Sequence, residues 1–173
     1  DLWPDEAVEL GFLKNRILIQ MSLWLEKFLY SRAKAVVVNS PGLKDFLISR
    51  KAVPESKITN IPNPVSPDLF RNASGDEIKK KFGWTEKFVA LYSGSMAAVY
   101  DFDLILETAK EMVHLPTVFV FVGDGRQKPL LVEKAKKQGL KNVQFLPPVG
   151  KKEIGNFIKA ADIGVASLKQ EIR

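Results

Sequence analysis

The stretch TVFVFVGDGRQKPLL, from Thr117 to Leu131, decides the fold. It begins with an unbroken run of β-branched and aromatic residues, which is typical of a strand covered on both faces. Two glycines on either side of Asp124 interrupt this run, and the residues that follow them favour a helix. A strand, a glycine turn and a helix in succession predict one repeat of a parallel α/β sheet.

The same succession is repeated before and after this stretch. Further strands are predicted for FVALYSG, NVQFL and IGVASL, which begin at Phe88, Asn142 and Ile163. Helices are predicted for DFDLILETAKEMV, KPLLVEKAKKQG and KKEIGNFIKAAD, in which apolar residues recur at helical spacing. Strands separated by single helices predict the α/β fold class, with a parallel sheet, right-handed connections and helices on both faces.

The first part of the chain has a less regular pattern. A helix is predicted from Phe12 to Tyr30, a short strand from Ala35 to Val38, and a second helix that Ser40 caps and Pro41 begins. The apolar residues of the first helix extend beyond one narrow stripe, so much of its circumference should be covered. The proline-rich segment KITNIPNPVSPDLF then predicts an extended connector between two units.

Composition excludes several kinds of chemistry. The 173 residues, 46% of them hydrophobic, can form a packed core. The absence of cysteine excludes disulfides and thiolate catalysis, and the single histidine, His114, excludes multi-histidine metal sites. A net charge of +6 favours phosphorylated ligands or an anionic membrane surface, and it does not require a nucleic acid partner. No apolar run reaches the roughly 18 residues of a membrane-spanning helix, and the first residue, Asp1, indicates a piece of a longer protein.

Ligands of parallel sheets bind at the carboxyl ends of the strands, which here lead into YSGSMAAVYD, VGDGRQ and LPPVGKK. The helix expected after Gly94 would offer backbone N–H groups and a positive dipole end to a phosphate. Gly123 and Gly125 would let the backbone approach a ligand closely. Arg126 and Lys151–Lys152 would add positive charge nearby.

The glycine loop has competing interpretations. It can serve simply as a tight connection between a strand and a helix. GDGRQK lacks the third glycine of the dinucleotide-binding fingerprint and the acidic residue expected about twenty positions later. No Walker lysine motif is present, and SGSMA is not the G-x-S-x-G motif of a nucleophilic serine. The loop by itself leaves phosphate binding and a structural turn open.

Taken together, the segments resemble the retaining glycosyltransferases of the GT-B fold, family 4, also called group 1. The matching segments, in the order of the family, are AKAVVVNSPGLKDFL, VPESKITNIPNPVSPDLF, VALYSGSM, VFVGDGRQKPLL and GLKNVQFLPPVGKKEIGNFIKAADIGVAS. They cover nearly the whole chain. The opening DLWP is similar to bacterial members that build O-antigen and capsule, such as fucosaminyltransferase-like enzymes.

This resemblance implies two Rossmann-like domains, one for the acceptor and one for a nucleoside-diphosphate sugar. Residues 1–66 would be the last part of the acceptor-side domain, 67–86 the interdomain connector, and 87–173 the first part of the nucleotide-sugar-binding domain. Gly94 and Ser95 would lie at the diphosphate, and residues 145–149 beside the base. The implied donor-binding residues are Gly94, Ser95, Gly123, Asp124, Gly125, Arg126, Phe145, Leu146, Pro147 and Val149.

The sequence departs from the family pattern in two places. Many members have an arginine and a lysine aimed at the donor diphosphate where this chain has Ser95 and Tyr100. The chain ends at ASLKQEIR, before the place where the family has a pair of glutamates, and Glu171 is too early to be one of them. No catalytic residue is therefore assigned, and we expect no transferase activity from this chain alone.

The resemblance implies transfer of a sugar, with retention at the anomeric carbon, to a glycan or lipid-linked precursor of a surface glycan. It implies no metal and no cofactor, and a cytoplasmic location that extends to the inner-membrane surface. The alternative is a non-catalytic nucleotide-binding or assembly module of the same fold, which the missing basic pair favours. An epimerase of the same shape fits NSPGLKDFL and the connector less well.

The predicted helix from Phe12 to Tyr30 also bears on partners. Its broad apolar face would either pack against the acceptor domain or lie on the inner membrane, with Trp24 at the interface. Either arrangement implies that this chain by itself exposes an apolar surface. We therefore expect the chain to self-associate as a homodimer through this helix.

Overall fold

The computed structural model describes residues 3–169, which form two compact units that meet in the chain between Val65 and Ser66. The first unit contains α1 (Asp5–Glu9), α2 (Arg16–Arg32), β1 (Val36–Val38), α3 (Pro41–Lys51) and β2 (Ile58–Asn60). The two strands are parallel, with Val36 opposite Ile58. Since α3 connects them and packs on them, this unit is one β-α-β repeat with a small core of Val38, Leu47, Val53 and Ile58.

Polar caps set the helix boundaries of the first unit. The Ser40 hydroxyl accepts the Leu43 N–H at 3.2 Å and proline occupies the first turn of α3, so this predicted helix start is confirmed. The start predicted for the preceding helix, at Phe12, is wrong. The side chain of Asn15 accepts the N–H of Ile17 at 2.9 Å and caps α2, so the helix begins at Arg16. The strand predicted from Ala35 begins at Val36.

The second unit is a larger α/β layer structure. Its elements are α4 (Asp68–Arg71), α5 (Asp76–Phe82), β3 (Phe88–Ser93), α6 (Phe102–Glu111), β4 (Thr117–Val122), α7 (Lys128–Lys137), β5 (Val143–Leu146), α8 (Lys151–Ala160) and β6 (Ile163–Gly164). Its four strands are all parallel and lie in the order β5-β4-β3-β6. The chain first extends the sheet from β3 through β4 to β5. It then returns through α8 and adds β6 on the other side of β3.

Alternation along β3 and β4 produces a core on each face of this sheet. Ala90 and Tyr92 point to the same face as Phe119 and Phe121, where residues of α6 and α7 cover them. The opposite face carries Val89, Leu91, Val118, Val120 and Val122, which pack with the fully buried Trp84 and with Phe157 of α8. The predicted fold class, a parallel sheet with helices on both faces, is confirmed.

The stretch 67–86, for which the sequence predicts a connector, contains α4 and α5 and belongs to the second unit. Both helices pack on α8. Gly155 of α8 lies so close to the Leu69 carbonyl that an added Cβ would overlap it. A Cβ on Gly75 would lie 2.5 Å from the Lys159 oxygen. These close backbone contacts fix the stretch against α8.

The last predicted strand is shorter than expected. Only Ile163 and Gly164 pair with β3, whereas the sequence predicts a strand through Leu168. The Val165 N–H still donates to the Leu91 carbonyl of β3 at 2.8 Å, and after it the chain runs beside the segment 99–101. The Asp101 N–H donates to the Ser167 carbonyl at 2.9 Å, and Leu168 forms an antiparallel bridge with Tyr100.

Candidate functional site

A cleft of about 370 Å³ lies at the carboxyl ends of β3 and β4, beside the start of α8. Such crevices are the usual ligand sites of parallel α/β sheets. Of the residues that the sequence predicts for donor binding, five line it: Gly94, Ser95, Gly123, Asp124 and Val149. The cleft also includes Pro148, which the sequence placed beside the base, and Lys151, which it named as a nearby positive charge. The sequence reasoning did not anticipate Ser93, Val122 and Ile154.

The other five predicted residues lie next to this cleft rather than in its wall. Phe145 stacks on Phe121 at 4.8 Å between ring centroids, and Leu146 packs against the core on the α8 face. Arg126 and Pro147 are exposed to solvent. Gly125 lies against the backbone of Met96. The ring of Phe145 therefore has a structural contact on one face.

Gly94 and Gly123 of the cleft, and the neighbouring Gly125, adopt backbone conformations that side chains rarely allow. The φ angles of Gly94, Gly123 and Gly125 are 156°, 145° and 152°. A Cβ on Gly123 would overlap the Gly94 carbonyl, and one on Gly125 would come within 2.5 Å of the Met96 oxygen. Gly123 and Gly125 are therefore required because the loops after β3 and β4 approach each other closely. The sequence had suggested a close approach to a ligand instead.

Hydrogen bonds lock these two loops together. The Gly94 N–H donates to the Val122 carbonyl at 3.0 Å, and the Met96 N–H donates to the Asp124 carbonyl at 2.7 Å. The Gln127 N–H donates to the Met96 carbonyl at 3.2 Å. Within residues 3–169, no acceptor pairs with the N–H groups of Ser95 and Asp124, which both line the cleft. Backbone N–H groups of this kind can bind an anion.

Tyr92, in β3, stabilises the loop that follows this strand. Its side chain is buried in the sheet, and its O–H donates to the Ser95 carbonyl at 2.6 Å. Burial, together with the neighbouring Tyr100, raises the pKa of Tyr92 to about 12, so the phenol stays a donor over the physiological range. This role of Tyr92 was not predicted from the sequence, because a tyrosine in a buried strand has the same pattern as any other core aromatic.

Tyr100 belongs to the same aromatic cluster. Its ring centroid lies 5.7 Å from those of both Tyr92 and Phe102, and it is half-buried there. The residue at the position expected to face the diphosphate is therefore part of the support for the loop. It does not line the cleft.

The helix expected directly after Gly94 begins later than the sequence suggests. Asp101 caps α6 by accepting the Leu104 N–H at 3.1 Å, so residues 94–101 form a loop and the helix starts at Phe102. The helix N-terminus that contributes residues to the cleft is that of α8, through Lys151 and Ile154. Its dipole and the Lys151 ammonium group both favour an anion in the cleft.

Lys128 was also not anticipated as part of the site. Its Nζ donates to the carbonyls of Gly123 at 2.7 Å and Leu146 at 2.8 Å, which joins the loops that follow β4 and β5. The signal in the sequence is a lysine in the first turn of a helix, where the dipole disfavours positive charge.

The described part of the chain has no group of three or more His, Cys, Asp or Glu side chains arranged to hold a metal ion. Over residues 3–169, we also find no helix with the length and apolarity needed to cross a bilayer.

The parallel sheet and its strand order define an α/β unit of the Rossmann type. The chain belongs to the family of glycosyl transferases group 1, whose model matches residues 74–171. A second model, Glycosyltransferase Family 4, matches residues 8–69.

Curated relatives cover much of this chain. An alpha-D-kanosaminyltransferase of Streptomyces kanamyceticus is 24% identical over 136 residues, 75% of this chain and 35% of that protein. A D-inositol 3-phosphate glycosyltransferase of Mycolicibacterium smegmatis is 27% identical over 146 residues, 80% of this chain and 33% of that protein. An Escherichia coli K12 protein named for colanic acid biosynthesis is 34% identical over 61 residues, 35% of this chain and 15% of that protein. This chain thus spans about a third, or less, of these relatives.

Solved structures show the same fold. The Anabaena protein HepE in complex with UDP-glucose matches with a TM-score of 0.74 at 19% identity, over 86% of this chain and 42% of that one. WaaG, a glycosyltransferase involved in lipopolysaccharide biosynthesis, matches with a TM-score of 0.68 at 19% identity, over 98% of this chain and 49% of that one. These neighbours have the GT-B architecture.

Proposed function

We propose that this chain is part of a glycosyltransferase that takes a sugar from a nucleoside-diphosphate donor bound in the cleft of the second unit. The observation that carries the proposal is the cleft itself, at the carboxyl ends of β3 and β4, in a chain of the group 1 family. The UDP-glucose complex of HepE, a neighbour in fold, supports this class of donor. The first unit, which matches the family 4 model, would belong to the acceptor side.

The cleft offers a way to stabilise the leaving diphosphate. Charge develops on the diphosphate as the bond to the sugar breaks, and preorganised donors lower the barrier by stabilising that charge. The N–H groups of Ser95 and Asp124, the N-terminus of α8 and Lys151 are the groups available for this purpose. In this proposal they act without a metal ion, because dipoles and one ammonium group supply the positive potential.

The finer features of the reaction are part of the same proposal. Retention at the anomeric carbon follows from the family resemblance. A precursor of a bacterial surface glycan is the proposed acceptor, since one relative is named for colanic acid biosynthesis and one structural neighbour for lipopolysaccharide biosynthesis.

Titration of the protein with UDP and GDP, followed by amide chemical shifts in the presence of EDTA, tests the donor site. We expect weak binding that moves the amides of Gly94, Gly123 and Gly125 and that EDTA leaves unchanged. If the shifts map to residues 62–70 while both glycine loops stay silent, the site is wrong. A requirement for added Mg²⁺ would contradict the metal-independent mechanism.

A non-catalytic nucleotide-binding module is the second candidate, and one observation favours it. Neither Ser95 nor Tyr100 presents a cation to the cleft, and Tyr100 packs among aromatic rings instead. Both candidates predict nucleotide binding. The whole protein of which this chain is proposed to be a part distinguishes them, because a transferase should slowly release free sugar from a bound nucleotide-sugar by hydrolysis when the glycan acceptor is absent, and a binding module should not.

A further inference from the structure

Lys128 joins two walls of the proposed donor cleft. It is the first residue of α7 and is half-buried. Its ammonium group donates to the carbonyl of Gly123, directly after β4, and to the carbonyl of Leu146, the last residue of β5. Gly123 lines the cleft, and Leu146 leads into the Pro148 and Val149 wall.

The N-terminal position of Lys128 in α7 is electrostatically unfavourable for a positive charge. Positive charge is disfavoured in the first turn, where the helix dipole is itself positive. The other basic residues of α7, Lys134, Lys136 and Lys137, lie in the last turn, where the dipole favours them. The contacts of Lys128 with the two carbonyls must therefore offset an unfavourable location.

Backbone contact between the two loops is weak without this side chain. In the part of the chain that the structure describes, the direct backbone link is the Gly123 N–H to the Leu146 carbonyl, and it is long, at 3.4 Å. The Lys128 hydrogen bonds are shorter and carry a full charge, which makes them the stronger connection. The ammonium group also opposes the negative ends of two carbonyl dipoles beside a cleft proposed to hold a diphosphate.

We propose that Lys128 is a positioning residue for the nucleoside diphosphate, which holds the β4 and β5 loops together and reduces the negative potential of their carbonyls. The inference rests on the proposed function, since it assumes an anionic donor in the cleft. It makes a prediction that loop support alone does not: the effect of Lys128 should depend on the charge of the ligand.

Three variants on one helix test this. Lys128→Met keeps the methylene stem and removes the charge, and Lys128→Arg keeps the charge. Lys134→Met is the matched control, because it removes the same charge from a surface lysine that pairs with Asp103 at 2.8 Å. The measurement is the dissociation constant of UDP and of uridine, from amide chemical shifts.

We expect Lys128→Met to weaken UDP binding by about tenfold and uridine binding by less than about threefold. The dissociation constant of UDP for Lys128→Arg should stay within about threefold of the wild-type value. The same should hold for the Lys134→Met control. If Lys128→Met does not fold, Lys128→Gln, which can still donate to one carbonyl, replaces it with the same expected order of effects.

Different failures have different meanings. Equal UDP binding by the wild type and Lys128→Met would overturn the proposal. If Lys128→Met loses affinity for UDP and uridine equally, Lys128 only connects the two loops structurally. That result would also overturn the proposal. A wild type that binds neither UDP nor GDP would overturn the donor site, and with it this role of Lys128.

Discussion

At the scale of single residues, Gly123 has the least room for a side chain among the glycines of residues 3–169. Its φ of 145° and the Gly94 carbonyl behind it both exclude a side chain. We expect Gly123→Ala to lower the free energy of unfolding of the second unit by about 2 kcal/mol or more and to abolish UDP binding. Urea denaturation and the UDP titration measure the two effects.

Gly164→Ala is the matched control for that variant. Gly164 lies in the same sheet, has no positive φ and has no atom within 4 Å of an added Cβ. Its replacement should change the free energy of unfolding by less than about 0.5 kcal/mol. Similar effects of the two alanines would contradict the proposed packing of the two loops.

The hydroxyl of Tyr92 provides a second prediction at this scale. Tyr92→Phe removes the hydrogen bond to the Ser95 carbonyl and should cost about 1 kcal/mol of unfolding free energy at pH 7. Because folding raises the pKa of Tyr92 to about 12, the phenol contributes fully below the unfolded-state value of 10.0. That contribution is lost as the pH rises toward the folded-state value.

The measurement is the difference in unfolding free energy between wild type and Tyr92→Phe as a function of pH. Between pH 9 and pH 11 the difference should shrink by about 1 kcal/mol, since the unfolded phenol ionises first. The comparison cancels other groups that titrate in this range. A difference that stays constant with pH would show that the environment of Tyr92 does not suppress its ionisation.

At the scale of elements, α2 has an unusual surface. Whereas Glu26 is buried, the helix exposes seven large apolar side chains: Ile17, Leu18, Met21, Trp24, Leu25, Phe28 and Leu29. Trp24 stacks on Phe28, and the guanidinium of Arg32 lies 5.6 Å from the Phe28 ring. The expected exposed apolar surface is therefore present. The stronger expectation, that α2 would be covered on much of its circumference, is wrong for the chain as described.

We expect this chain to self-associate through α2, because a contiguous apolar face of this size is rarely left in water. Leu18→Glu and Trp24→Glu should each shift the sedimentation of a dimer toward that of a monomer. Ser49→Glu, on the exposed side of α3 in the same unit, introduces the same charge and should have no effect.

A wild type that remains monomeric at high concentration would contradict the dimer. Co-sedimentation with anionic vesicles separates self-association from membrane binding. Binding to vesicles that both α2 variants lose would favour a membrane role for this face. Without binding, protein packing alone accounts for the apolar surface.

At the scale of the whole molecule, the chain covers about a third or less of these curated relatives. We expect the 173-residue protein to bind a nucleoside diphosphate and to show no sugar transfer to a glycan or lipid-linked acceptor. The residues that would bind an acceptor and grip the donor sugar are not assigned in it. Glu171 lies outside the described residues.

Incubation with a panel of nucleotide-sugars and lipid-linked acceptors tests this expectation. No transfer product should form above the level of a protein-free reaction. Clear transfer that Gly123→Ala abolishes would prove the expectation wrong, because it would locate a complete active site in this chain.

The sequence alone determined the repeating layers of the second unit. The apolar run at Thr117–Val122 and the helical spacing after Asp101 were sufficient, because periodicity reports which side of an element is buried. Local chemistry was also readable: Ser40 and Pro41 fix the start of α3 through contacts within one turn. The family resemblance came from the same short segments, read in order, and the group 1 family match confirms the family. The O-antigen type that DLWP suggested stays a prediction.

Only the tertiary structure decided how the site is built. The Lys128 Nζ joins carbonyls at Gly123 and Leu146, and the Gly94 carbonyl lies where a Gly123 side chain would be. These contacts connect loops that follow different strands, and they exist because parallel strands bring their carboxyl ends to one edge of the sheet. Periodicity records that a residue is buried or exposed. It does not record which distant backbone atom that residue will meet.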